Sequence, residues 1–156
     1  MTKIHNETDL TVADIITWNK NNAMPFNSSP NKLSRIAELI YVVVKKEHLD
    51  SFRTNKAISK VNKKTGQTFY KNYTNLIKAK NNDNVKSQLK STYSQELCNK
   101  LINIYFPKET IIFDPFSGIG TTALSCLKNN RYFIGSEIIK EHYELALNRI
   151  KQLENG

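Results

Sequence analysis

Cysteine is scarce in this sequence: Cys98 and Cys126 are the only two in 156 residues. No Cys or His stands at metal-ligand spacing from either, so neither a disulfide scaffold nor a zinc site is expected, and both read as small buried apolar residues. Long apolar runs are missing as well. The longest, Leu39 to Val44, is six residues, against the roughly 20 that a membrane-spanning helix needs. The first fourteen residues mix His5, Asn6, Glu7 and Asp9 and offer no signal-peptide core. No membrane association and a cytoplasmic location are expected. Acidic residues are in short supply, 14 Asp and Glu against 23 Lys and Arg, which leaves a net charge of +9. Hydrophobic residues nevertheless make up 39% of the chain. That is enough for a core, so a disordered tail is excluded.

The charge is not spread evenly. Residues 1–44 hold four basic and four acidic side chains, residues 45–90 twelve and three, and residues 91–156 seven and seven. The entire excess therefore lies in the middle third. There Lys60, Lys63, Lys64 and Lys71 alternate with Phe69, Tyr70 and Tyr73. Lysines neutralise phosphates and aromatic rings stack on bases, so the composition suits a segment facing a polyanion. A solvated lysine-rich insertion would have the same composition.

Around this segment, Ile15 to Trp18 and Ala37 to Val44 read as two strands joined by a long loop containing Pro25 and Pro30. From Ser94, a candidate N-cap, Leu97, Leu101, Ile104 and Tyr105 recur at helical spacing until Pro107 stops the run. A buried strand is expected at Ile111 to Phe113, a helix at Thr121 to Leu127 and a strand at Tyr132 to Ser136. A final helix from Lys140 to Leu153 would place Tyr143, Ala146, Ile150 and Leu153 on one face. Alternating helix and strand implies parallel strands in a doubly wound α/β sheet.

The richest stretch is Asp114-Pro115-Phe116-Ser117-Gly118-Ile119-Gly120-Thr121-Thr122, set between a predicted strand and a predicted helix. Gly118 and Gly120 allow a sharp turn and a close backbone approach to a ligand. Glu137 ends the next predicted strand, 19 positions after Gly118, where an acid commonly binds ribose hydroxyls in such units.

These residues, continued by Ile134-Gly135-Ser136-Glu137 and Tyr143-Glu144-Leu145-Ala146, resemble the cofactor half of the S-adenosylmethionine-dependent DNA amino-methyltransferases, which methylate adenine N6 or cytosine N4. Upstream, Trp18, Lys20, Pro25, Arg35, Glu38 and Lys45 resemble that family's pattern around two late strands, with Ala37 where a His is usual. Thr92-Tyr93-Ser94 resembles the segment before the cofactor turn, with Ser94 in place of a frequent proline. The resemblance implies an incomplete Rossmann-like class I methyltransferase sheet, S-adenosylmethionine as cofactor and DNA as substrate. Residues 1–44 would supply late strands, 45–90 a basic DNA-recognition insertion and 91–156 the cofactor half. Asp114 would orient the methionine end of the cofactor and Phe116 would wall its pocket. Gly118 and Gly120, with Thr121 beginning the helix, would admit it, Glu137 would hold its ribose, and Thr92 and Tyr93 would line the same pocket. Lys60, Lys63, Lys64 and Lys71 would meet DNA.

The family's catalytic Asp/Asn/Ser-Pro-Pro-Tyr/Phe motif, which holds the flipped base, has no counterpart here. In the circularly permuted order that the chain resembles, that motif comes first and Met1 would begin downstream of it. A second polypeptide carrying the catalytic half is therefore expected, and the chain alone is expected to be inactive. Two alternatives stay open: a catalytically inactive DNA-binding remnant, and an RNA methyltransferase.

Overall fold

Strand pairing in the first part of the chain begins with an eleven-residue strand that the sequence pattern marks only in its middle. The computed structural model describes residues 2–21, 28–85 and 92–155. Pro25, invoked above, lies outside the described residues, as do Lys86 and Lys90 of the basic segment. The chain divides into two units, Met1–Lys78 and Ala79–Gly156.

In the first unit, helix α1 (Thr2–Glu7) leads into β1 (Leu10–Lys20), which pairs antiparallel with β2 (Ala37–Lys45) from Leu10 opposite Lys45 to Asn19 opposite Ala37. β2 has the expected extent, whereas β1 extends beyond 15–18 at both ends because Lys45 to Ala37 offer it a partner along its length, with one irregularity between Val12 and Asp14. A short 3-10 turn (Lys46–His48) follows. A separate hairpin of β3 (Ile58–Val61) and β4 (Thr68–Tyr70) comes next, and β5 (Leu76–Ala79) adds to β1 to give the sheet order β2-β1-β5. Alternation on β1 sends Ile16 and Trp18 inward on one face, and Ile77 of β5 is buried as well.

The second unit follows the expected order: α2 (Gln95–Tyr105), β6 (Ile111–Asp114), α3 (Thr121–Lys128), β7 (Tyr132–Gly135) and α4 (Lys140–Glu154). Ser94 caps α2, its Oγ accepting the Leu97 N–H at 3.2 Å and donating to the Lys80 carbonyl at 2.7 Å. The helix ends at Tyr105, ahead of Pro107, which cannot continue it. β6 and β7 are parallel, in register from Ile111 beside Tyr132 to Asp114 beside Gly135. One face of this pair packs on the helices: Cys98 and Ile102 of α2, Ile112 of β6 and Cys126 of α3 form a cluster with Phe133. Both cysteines are free and buried, and burial pushes their thiols up, Cys126 to about 11. They are packing residues.

Within the second unit, no described element covers the opposite face of the pair. Ile111, Phe113, Tyr132 and Ile134, adjacent in register, are 60%, 64%, 60% and 56% exposed. α4 also differs from expectation in its inward face. His142 and Ala146 are buried while Tyr143 is half exposed. The helix is turned so that Ala146 meets the glycine turn, as described next, and that contact rather than apolar content sets its face.

Candidate cofactor turn and basic hairpin

Everything in the second unit converges on the end of β6. Asp114 terminates the strand and is held through both oxygens: its Oδ1 accepts the Phe116 N–H at 3.1 Å and its Oδ2 accepts the Thr122 hydroxyl at 2.6 Å. The Tyr93 hydroxyl lies 2.5 Å from Thr122 Oγ1 and 3.5 Å from Asp114 Oδ2. The hydroxyl end is enclosed although the residue is 39% exposed, and its pKa is pushed up to about 12, chiefly by burial. The phenol therefore stays protonated. Thr92 is half-buried beside it.

The turn itself is laced to the end of β7. Ser117 donates both its N–H and its hydroxyl to the Ser136 carbonyl, at 2.9 and 3.1 Å, and Ser136 Oγ donates to the Pro115 carbonyl at 2.8 Å. Glu137 then closes the lacing. Its Oε2 accepts the Gly118 N–H at 2.8 Å and its Oε1 accepts the Ile139 N–H at 2.9 Å. These backbone donors, Ile139 first, hold the carboxyl below the ordinary glutamate range.

Gly118 and Gly120 both have positive φ, 52° and 77°, where a side chain would be strained. At Gly120 space is lacking as well: a Cβ there would sit 2.8 Å from the Ala146 Cβ on α4. Arg149, one helical turn further along, donates from Nη1 to the Ile119 carbonyl at 2.6 Å. Thus α4 holds the turn from behind. Thr121 begins α3 and is buried.

Phe116 and Ile138 stand apart from all this packing, 88% and 96% exposed, on the two segments that the serines and Glu137 tie together. Phe116 is not a core residue. Ile138 was not singled out from sequence, since a lone isoleucine after an acid carries no pattern; its exposure is what marks it.

In the first unit, Trp18, Lys20 and Glu38 are brought together. Trp18 faces Glu38 across the β1–β2 pair, and Lys20 pairs with Glu38 while its ammonium lies 5.0 Å from the Trp18 ring centroid. The four candidate DNA-binding lysines lie on or beside the β3–β4 hairpin. Lys60 sits over the Phe69 ring at 4.9 Å. Lys63 and Lys64 are exposed at the tip, where Asn62 Oδ1 accepts the N–H groups of Lys64 and Thr65 and Gly66 turns the chain at φ 73°. Lys71 follows β4, its N–H bonded to the Ala57 carbonyl at 2.9 Å. Among the described residues, none of the four is in an ion pair, and no group of His, Cys, Asp or Glu could hold a metal. No described helix is long and apolar enough to cross a membrane.

A family model for DNA methylases of the N6/N4 type matches residues 1–148. The chain belongs to this family. Curated relatives include the orphan methyltransferase M.BamHII of Bacillus amyloliquefaciens, 38% identical over 69 residues, which are 44% of this chain and 26% of that protein. Another is the type II methyltransferase M.Cfr9I of Citrobacter freundii, 26% identical over 87% of this chain and 43% of that protein. The chain thus spans less than half the length of either. Among solved structures, M1.HpyAVI in complex with SAM aligns over 92% of this chain and 64% of its own, with 29% identity and a TM-score of 0.62. The cytosine-N4-specific PvuII DNA methyltransferase aligns over 95% and 54%, with a TM-score of 0.72. At 16% identity this second likeness shows the fold alone, which is the class I methyltransferase architecture expected.

Proposed function

We propose that this chain supplies the cofactor-binding and DNA-contacting parts of an N6-adenine or N4-cytosine DNA methyltransferase, working in the cytoplasm with S-adenosylmethionine as methyl donor. A polypeptide outside these 156 residues would carry the Asp/Asn/Ser-Pro-Pro-Tyr/Phe motif. The division of labour follows the chain: late strands in residues 1–44, DNA contact in 45–90 and the cofactor site in 91–156.

The observation that carries this reading is the laced turn with its two unpacked apolar side chains. S-adenosylmethionine supplies an electrophilic methyl group on a sulfonium, together with an adenosine. The residues present fit it. Phe116 and Ile138 offer apolar surface to a flat ring from two tied segments, and their exposure in the free protein forgoes roughly 1.5–3 kcal/mol of burial each, which a ligand would recover. The oxygens of Glu137 each spend one lone pair on a backbone N–H and keep a second for ribose hydroxyls. Asp114 presents a carboxylate to the cationic methionine end, with Tyr93 and Thr122 fixing its orientation.

The bare face of β6 and β7 supports the second polypeptide. Parallel strands are almost always covered on both faces, and a segment bringing the central strands of the sheet would bring covering helices with it. The intact cofactor turn favours this reading over a remnant that binds DNA alone, and the Trp18, Lys20 and Glu38 cluster favours a DNA over an RNA enzyme.

The test uses the purified chain, labelled S-adenosylmethionine and unmethylated DNA. Calorimetry should detect cofactor binding, while label incorporation should stay at the level of a Gly118→Val control, because the amine lacks the acceptors that aim its lone pair. Adding a polypeptide with the missing motif should start transfer. Incorporation by the chain alone would overturn the second-polypeptide assignment, and absence of cofactor binding would overturn the cofactor assignment.

A further inference from the structure

The hairpin lysines do not exhaust the basic character of the first unit. Beside β4 the structure holds a groove of about 710 Å³ whose walls include Arg53, Lys56 and Lys71. Thr54, Thr68 and Asn72 line it as well, and among the described residues no carboxylate does. Among the described residues, none of the three cations is in an ion pair. Arg53 is held in place by its own loop, its Nη1 donating to the carbonyls of Asp50 and Phe52 at 2.7 Å each. The Lys71 end of the groove is fixed by the backbone bond to Ala57. Three cations around one space repel one another unless something negative is shared between them. With two hydroxyls and an amide in the same wall, donors far outnumber acceptors, which suits phosphate oxygens better than the mixed edge of a base pair. Two aromatic residues, Phe69 and Tyr70, also line it; Phe69 already carries Lys60, which leaves one ring against three cations.

We infer that this groove clamps a phosphate of the DNA backbone and fixes the duplex in register without reading its sequence. The inference rests on the DNA-contacting role proposed above and adds Arg53 and Lys56 to it. The groove and the hairpin tip then do different things: the groove seats the backbone, and the tip lysines reach along it.

The experiment measures affinity of the full chain for two duplexes of different sequence by fluorescence anisotropy across a salt series. K56Q/K71Q is the main variant, because neither side chain has a partner among the described residues that folding needs. R53Q is second, since its loop bonds could be lost with it. For K56Q/K71Q the expected result is about tenfold weaker binding on both duplexes alike and a salt slope flatter by about two, with cofactor affinity unchanged. A change of preference between the duplexes with an unchanged slope would show that the groove reads bases, and would overturn the inference. So would an unaltered K56Q/K71Q. If in that case a triple Lys60, Lys63 and Lys64 to Gln variant still weakens binding, the DNA role stands and only the groove falls. If neither variant matters, the DNA role falls too. An RNA duplex bound more tightly than DNA, with that advantage lost in K56Q/K71Q, would reassign the groove to RNA and overturn the inference.

Discussion

Glu137 accepts the backbone N–H of Gly118 at 2.8 Å, so the acid that follows the second parallel strand pins the turn that follows the first. Its other oxygen takes the Ile139 N–H at the entrance to α4. One side chain thereby orders two loops and remains available to a ligand.

Replacing Glu137 by Ala should weaken S-adenosylmethionine binding by about 1.5–3 kcal/mol, the scale of a hydrogen bond to a charged group. Calorimetry on the folded variant checks it, and equal affinity would leave Glu137 as a structural latch only. The pH dependence has a definite sign. Because the folded carboxyl titrates below its ordinary value of 4.5, its contribution is present above that value and is lost as pH falls through the depressed one. The Gly118 amide resonance should therefore shift with a midpoint below 4.5, and the shift should vanish in Glu137→Gln.

Gly118→Val should abolish cofactor binding. A β-branched residue at φ 52° is strained, and its side chain would crowd the proposed cofactor space while displacing the N–H that Glu137 holds. Unchanged affinity in a folded variant would remove the turn from the cofactor site.

Tyr93→Phe should cost about 0.5–1.5 kcal/mol of stability, since it removes the hydroxyl from Thr122 and Asp114 but leaves the Thr122 bond to Asp114 intact. Urea denaturation would show it as a lower midpoint with the same slope. Loss of several kcal/mol would mean that the hydroxyl carries the whole network.

Replacing Lys60, Lys63 and Lys64 together by Gln should flatten the salt dependence of DNA affinity by about two to three units, because each phosphate contact contributes roughly 0.9. An unmoved slope would leave the hairpin tip solvated.

The second unit was legible because its signals are local. A cap at Ser94, a stop at Pro107, two short apolar runs and a glycine turn fix five elements with no reference to the rest of the chain, and the structure places them within a residue or two. What escaped was decided at a distance. Tyr143 and Ala146 looked inward together by apolar content, yet it is Ala146 and His142 that are buried, Ala146 against the space that Gly120 leaves. The β3–β4 hairpin escaped for a different reason: Ile58 to Val61 and Thr68 to Tyr70 are too short to show alternation, and the Asn62 to Gly66 turn that joins them is recognisable only once both flanks are known to pair. At the candidate site the residue types were legible, but the lacing of Ser117 to Ser136 was not, since it joins two loops that the sequence keeps 19 positions apart.

The contact between Gly120 and Ala146 ties the histories of two distant positions. With only 2.8 Å between the Ala146 methyl and the place a methyl would take on residue 120, residue 120 cannot gain a side chain while 146 keeps its own. Its backbone angle disfavours one independently. A lineage of such chains should accordingly keep glycine at 120 wherever 146 carries a methyl, and show a side chain at 120 only where the last helix has been lost or set back from the turn.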